Sequence, residues 1–162
     1  MLDTTALREA YRVLIEAAAT VAEAETTRDP GPGEWNADQV LGHVSLVTAM
    51  TLAAASAVAA GAPTTYDNRL AQDSWTIGRA VELAGDGAGL RERVRRQGEA
   101  LCEFSGPALS DAELDTLVPT RLISAGTLLV DQPLPLRDLL TGLAATELPG
   151  HTEQLLALLD IR

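Results

Sequence analysis

The chain has 162 residues, the size of one domain around one buried core, and is read as a single domain over 1–162. Hydrophobic residues make up 46% but aromatics only 3%, so Leu, Val and Ala must fill the core, a palette that favours packed helices over a β-sandwich. The formal charge of −11 excludes a nucleic-acid or anionic-membrane partner: the one basic run, Arg91, Arg93, Arg95 and Arg96, is interleaved with Glu92, Glu99 and Glu103 and reads as a solvated helix face.

Met1-Leu2-Asp3 leads directly into a helical pattern with no signal-peptide features, so a cytoplasmic protein is expected. The first helix runs from about Thr4 to Ala24, with Leu7, Tyr11, Leu14, Ala18 and Val21 forming one apolar stripe. "TTRDPGPGEW" then breaks the chain with two prolines and two glycines. Asn36 opens the second helix as an N-cap, with Gln39 placed to complete a capping box and Trp35 and Val40 in the positions of a hydrophobic staple. This helix should reach Ala60 and stop at Gly61. Its stretch from Val44 to Ala60 is uncharged, yet it carries Ser45, Thr48, Thr51 and Ser56 and is short for a bilayer span. A buried core helix explains it, and a homodimer interface would use the same surface.

"TTYDNRLAQDS" (64–74) reads as a long polar connection to a short helix at Trp75–Leu83. A third long helix is expected at about Leu90–Phe104, and "SDAE" (110–113) starts a short helix to Leu117. Residues 118–135 fit no helix and read as a small extended hairpin or an ordered loop. The last helix begins near Leu136 and resumes after Pro149-Gly150 with Leu155, Leu156, Leu158 and Leu159. Four principal helices and no dominant sheet predict an all-α four-helix bundle with short extra helices and a long 118–135 connection.

Only two histidines are present. His43 lies one turn inside the second helix among Val40, Val47 and Met50, the setting either of a core histidine or of a ligand. Glu147 and His151 are four residues apart and so project from one side of a helix, the spacing with which helical zinc motifs present two ligands. Pro149 stands between them and its ring conflicts with the carbonyl of Ala145, so a kink or a fresh helical start is expected at 148–150. The plainer alternative is a last helix that starts at Pro149, with Glu147 as its cap. If His43 faces the same point, two imidazoles and one carboxylate form the ligand set of a catalytic zinc with an open position.

At these residues the sequence resembles a known family. "GEWNADQVLGHV" (33–44) is similar to the second-helix motif of the DinB/YfiT-like metalloprotein superfamily, a Trp, a cap and a helix with a metal-binding His. "ELPGHTEQL" (147–155) is similar to the superfamily's last-helix motif, commonly two histidines four apart followed by a Gln, with His151 and Gln154 on the second His and the Gln. Glu147 in the first position resembles the metal-binding domain of the mycothiol-dependent maleylpyruvate isomerases. The resemblance implies a four-helix bundle, zinc or another divalent metal such as nickel on His43, Glu147 and His151, and often a low-molecular-weight thiol such as mycothiol as cosubstrate. Those isomerases carry an additional C-terminal domain where this chain ends at Arg162, so maleylpyruvate itself is not the expected substrate.

Tyr66, Asp67, Asn68 and Arg69 lie in the connection that the resemblance puts near the open side of the bundle, where Arg69 would pair with a carboxylate; a solvated loop is the alternative. Arg121 has the same two readings. Cys102, between Leu101 and Phe104, reads as a small core or boundary residue. The leading expectation is a metal-dependent transferase or isomerase in which a thiol or water attacks a small electrophilic substrate. A metal-dependent hydrolase, lyase or cyclase of secondary metabolism and a non-enzymatic small-molecule binding protein stand beside it.

Overall fold

A computed structural model describes residues 1–159. Helix α1 spans Thr5–Glu23 and buries the stripe that the periodicity marks, from Leu7 through Tyr11, Leu14 and Ala18 to Val21. Helix α2 spans Ala37–Ala59 and starts from a complete capping box: Asn36 Oδ1 accepts from the Gln39 amide (2.9 Å) and Gln39 Oε1 accepts from the Asn36 amide (2.9 Å). It ends just before Gly61, whose φ of +66° an L side chain rarely adopts. By length and composition α2 could cross a membrane, but 61% of its apolar stretch, His43, Thr48 and Thr51 included, is buried inside the fold.

The polar connection is more structured than a loop. It contains the strand β1 (Tyr66–Asp67) and the short helix α3 (Arg69–Gln72), followed by α4 (Ser74–Ala84), which Asp73 caps through the Thr76 amide. The third long helix, α5, spans Gly87–Ser105 and presents Leu90, Val94, Gly98, Leu101 and Cys102 inward; Cys102 is the buried core residue its neighbours suggest. Helix α6 (Asp111–Leu114) begins with the Ser110–Glu113 capping box that "SDAE" implies.

The expectation of an all-α fold is corrected at 117–135. Strands β2 (Leu117–Ser124) and β3 (Thr127–Pro135) form an antiparallel hairpin, and β1 pairs parallel to β2 to complete a three-stranded sheet in the order β1-β2-β3. The turn is Ala125-Gly126, with φ of +47° and +78°. Positive φ at both central residues matches the right-handed twist of the flanking strands, so the hairpin reading of this segment is the correct one. Pro119, Pro133 and Pro135 and the scarcity of alternating apolar residues weaken the strand pattern in the sequence.

Four long helical rods carry the mostly helical core. α1 packs against α5, and α2 packs against α5 and α4. The fourth rod is composite: α7 (Leu136–Gly142), a π-helical turn (Leu143–Glu147) and α8 (Leu148–Leu156), with α8 packed on α1 and also touching α2. Leucines from every rod, among them Leu14, Leu41, Leu90, Leu101, Leu140, Leu148 and Leu155, are almost wholly buried. Each such burial contributes about 1.5–3 kcal/mol.

Candidate metal centre

Pro149 explains the local path of the last rod. In a regular α-helix the residue at 149 would donate to the Ala145 carbonyl, but proline has no N–H and its ring needs that space. The chain widens into the π turn instead, where the Leu148 amide donates to the Leu143 carbonyl five residues back. Pro149 then falls in the first turn of α8, where its fixed φ is favourable. Pro149 and Gly150 are exposed, whereas Glu147 and His151 are half-buried and turn inward. The two poor helix formers therefore occupy the outer face of a turn whose inner face carries chemistry.

Three side chains meet there. His43 Nε2 lies 3.0 Å from Glu147 Oε1, and His151 Nε2 lies 3.1 Å from the same oxygen. One donor atom from each residue lies within 4.8 Å of the other two. The imidazoles stand edge to face with centroids 4.6 Å apart. His43 is completely buried, while Glu147 keeps over a third of its side chain exposed, so the group is reached from the Glu147 side.

The far nitrogens fix the tautomers. His43 Nδ1–H donates to the Ala71 carbonyl of α3 at 2.6 Å, and His151 Nδ1–H donates to Gln154 Oε1 at 2.9 Å. Each neutral ring therefore turns an Nε2 lone pair, not an N–H, towards Glu147. Two lone pairs and a carboxylate oxygen repel one another unless a cation lies among them. The separations fit one: bonds of about 2.0–2.1 Å in a tetrahedral zinc site put neighbouring donors roughly 3.3 Å apart.

Protons act on the same group when no metal is bound. The hydrogen bonds to His151 and His43 hold the Glu147 carboxyl far below the usual carboxylate range, against the opposing effect of burial. Burial pulls the His151 imidazole down, but the bond to Glu147, its charge and the Gln154 contact outweigh it and leave the pKa raised.

Trp35, placed just before the α2 cap, lies over both rings, with centroids 4.8 Å from His43 and 6.4 Å from His151. Two phenol–threonine pairs line α2 further along. Thr48 and Thr51 donate to the Val44 and Val47 carbonyls, so the Tyr11 and Tyr66 hydroxyls donate to Thr48 (2.7 Å) and Thr51 (2.8 Å). Burial, with a contribution from the Glu147 charge, pushes Tyr66 up to about 12 and raises Tyr11 as well, which keeps both phenols neutral.

The four residues of the connection have distinct surroundings. Tyr66 is buried against Thr51, and Asn68 is buried with both ends of its amide on the Ile123 backbone. Asp67 pairs with Arg69 at 2.7 Å on the exposed side. Arg121 forms an exposed pair with Asp131 across the hairpin. Sequence reasoning did not reach the Ala71 carbonyl or the stacking of Trp35, because a backbone acceptor has no residue signature and the Trp35 contact depends on where α8 packs. Gln154 was legible in principle, since i and i+3 share a helix face.

Neither the comparison with curated proteins nor that with solved structures returns a match. Residues 6–155 do match the DinB superfamily, a stretch that starts at the second residue of α1 and includes all three converging side chains. By that span the chain belongs to the DinB superfamily, which includes metal-binding enzymes.

Proposed function

We propose that this chain is a metal-dependent enzyme of the thiol S-transferase or isomerase class, in which His43, Glu147 and His151 hold zinc or a similar divalent ion. The observation that supports this reading is the aim of both Nε2 atoms at a single Glu147 oxygen, with each Nδ1–H already committed to an acceptor. Two neutral imidazoles and one carboxylate leave a net +1 on a divalent ion. When bound, such an ion supplies Lewis-acid chemistry, lowering the pKa of a thiol or water at its remaining position. The residues do the rest: Ala71 and Gln154 keep the imidazoles in the ligating tautomer, and Glu147 provides the compensating charge at the solvent-facing side.

A mycothiol-like thiol as cosubstrate, attacking a small electrophile, follows from the likeness of "ELPGH" to the thiol-dependent isomerases. The four long rods support the reading of the fold as a four-helix bundle. The exposed Asp67–Arg69 pair is our candidate contact for a polar or anionic substrate, with Tyr66 and Asn68 supporting it from within the fold. A cytoplasmic location suits a protein that uses such a thiol.

The experiment is turnover of a general electrophile by untagged, zinc-loaded protein, with mycothiol, with another small thiol and without thiol. Thiol-dependent turnover that is lost in His151→Ala supports the proposal. Turnover independent of thiol would replace it with the hydrolase or lyase reading, and zinc binding without any turnover would replace it with a binding function.

A further inference from the structure

The Trp35 ring, which packs at the edge of the core just before the α2 cap, also lies against both imidazoles of the metal centre. It is half-buried, and the two imidazoles are its ring neighbours, at 4.8 and 6.4 Å between centroids. Its planes meet those of His43 and His151 at 38° and 27°, so both imidazoles lie nearer to stacked than to edge-on. The backbone that carries it is fixed on the next residue by the Asn36–Gln39 box.

We infer that Trp35 is a positioning residue that favours the metal-loaded form of the His43–Glu147–His151 group by stacking its indole face on the ligand imidazoles. The inference rests on the metal-centre reading. An imidazole whose Nε2 lone pair is shared with a divalent cation takes on part of the positive charge. The indole face is the most electron-rich aromatic surface available to it, and a centroid distance of 4.8 Å is within cation–π range. A neutral imidazole gains less from the same contact, so the stacking energy differs between the loaded and empty forms. Stacking also helps fix the tilt of both rings, together with their edge-to-face contact with each other.

The test titrates metal-free protein with zinc alone at pH 8, where protons compete least, and records the visible spectrum with cobalt(II) alone. Trp35→Leu is expected to weaken zinc binding about tenfold and to shift the cobalt bands, a change of ligand geometry that lost packing elsewhere would not produce. Trp35→Phe keeps an aromatic face and is expected to stay within about threefold with the bands in place. Wild-type affinity and an unchanged spectrum in Trp35→Leu would overturn the inference, as would equal losses in the Leu and Phe variants. Should Trp35→Leu not fold, Trp75→Phe leaves Trp35 as the only indole; its emission is expected to change at one equivalent of zinc, and unchanged emission would overturn the inference. A wild-type chain that takes up no zinc would remove the metal centre itself, a different outcome from a zinc-binding chain indifferent to Trp35.

Discussion

His43 of α2 and His151 of α8 meet edge to face with their centroids 4.6 Å apart, and each points its Nε2 at the same oxygen of Glu147. Such convergence is stable only with positive charge in the middle. A divalent ion among the three donors would supply it, and in the empty protein the raised pKa of His151 favours a proton in the same place.

The pH dependence of the empty protein follows. Glu147 has a lowered folded pKa, so its contribution is complete above its ordinary value of 4.5 and is lost as the pH falls. His151 has a raised folded pKa, so its contribution is complete below 6.5 and is lost as the pH rises through the folded value. With chelator present, the urea midpoint should be higher at pH 5.5 than at pH 8. Zinc should reverse that order, because ligation requires neutral imidazoles. A metal-free protein more stable at pH 8 would contradict this description of the triad.

Gln154 sets the tautomer of His151 through the 2.9 Å bond to Nδ1. Gln154→Leu removes the acceptor and should weaken zinc binding by about 10- to 100-fold. Gln154→Glu keeps an acceptor and should bind at least as tightly as wild type. Competition against a chromophoric chelator measures both; equal weakening in the two variants would mean that the amide serves packing only.

Asn68 ties the connection after α2 to the hairpin through two bonds to Ile123, at 2.9 and 2.8 Å. Asn68→Ala leaves both Ile123 backbone groups unsatisfied and should cost about 1–3 kcal/mol of stability. α3, which supplies the Ala71 carbonyl, follows directly after this residue, so zinc affinity should fall with it. A variant of unchanged denaturation midpoint and raised KM would show that Asn68 meets substrate instead.

Much of this was legible beforehand, for physical reasons that differ by element. The α2 start was readable because a capping box is a local code: Asn36 and Gln39 need only each other. The Glu147–His151 pair was readable because helical periodicity brings i and i+4 together, and Pro149 announced a disturbance in that turn. That the disturbance is a π turn, with the break absorbed before the proline, depends on how α7 and α8 pack on α1 and α2. β1 was illegible, since two residues, Tyr66 and Asp67, form a strand only because β2 lies beside them. His43 was ambiguous for a similar reason: an apolar helix face gives no sign that an acceptor from α3 and a carboxylate from the last rod wait beside it.

Gly98 of α5 lies directly against the Tyr11 ring of α1. A Cβ there would lie 2.7 Å from Cγ of Tyr11, whose ring is buried and held by its bond to Thr48. Overpacking of this kind costs about 1–3 kcal/mol, more than the roughly 1 kcal/mol that alanine gains in helix propensity. Gly98→Ala should therefore lower the denaturation midpoint, and a stabilised variant would mean that Tyr11 can move aside.

The central claim is that one ion sits among three side chains, and anomalous diffraction from crystals grown with zinc tests it most directly. A single strong peak about 2.0–2.2 Å from His43 Nε2, Glu147 Oε1 and His151 Nε2, absent in His151→Ala, is the result this account predicts. Crystals from zinc-saturated solution without a peak between the imidazoles, or with the metal bound elsewhere on the surface, would contradict it.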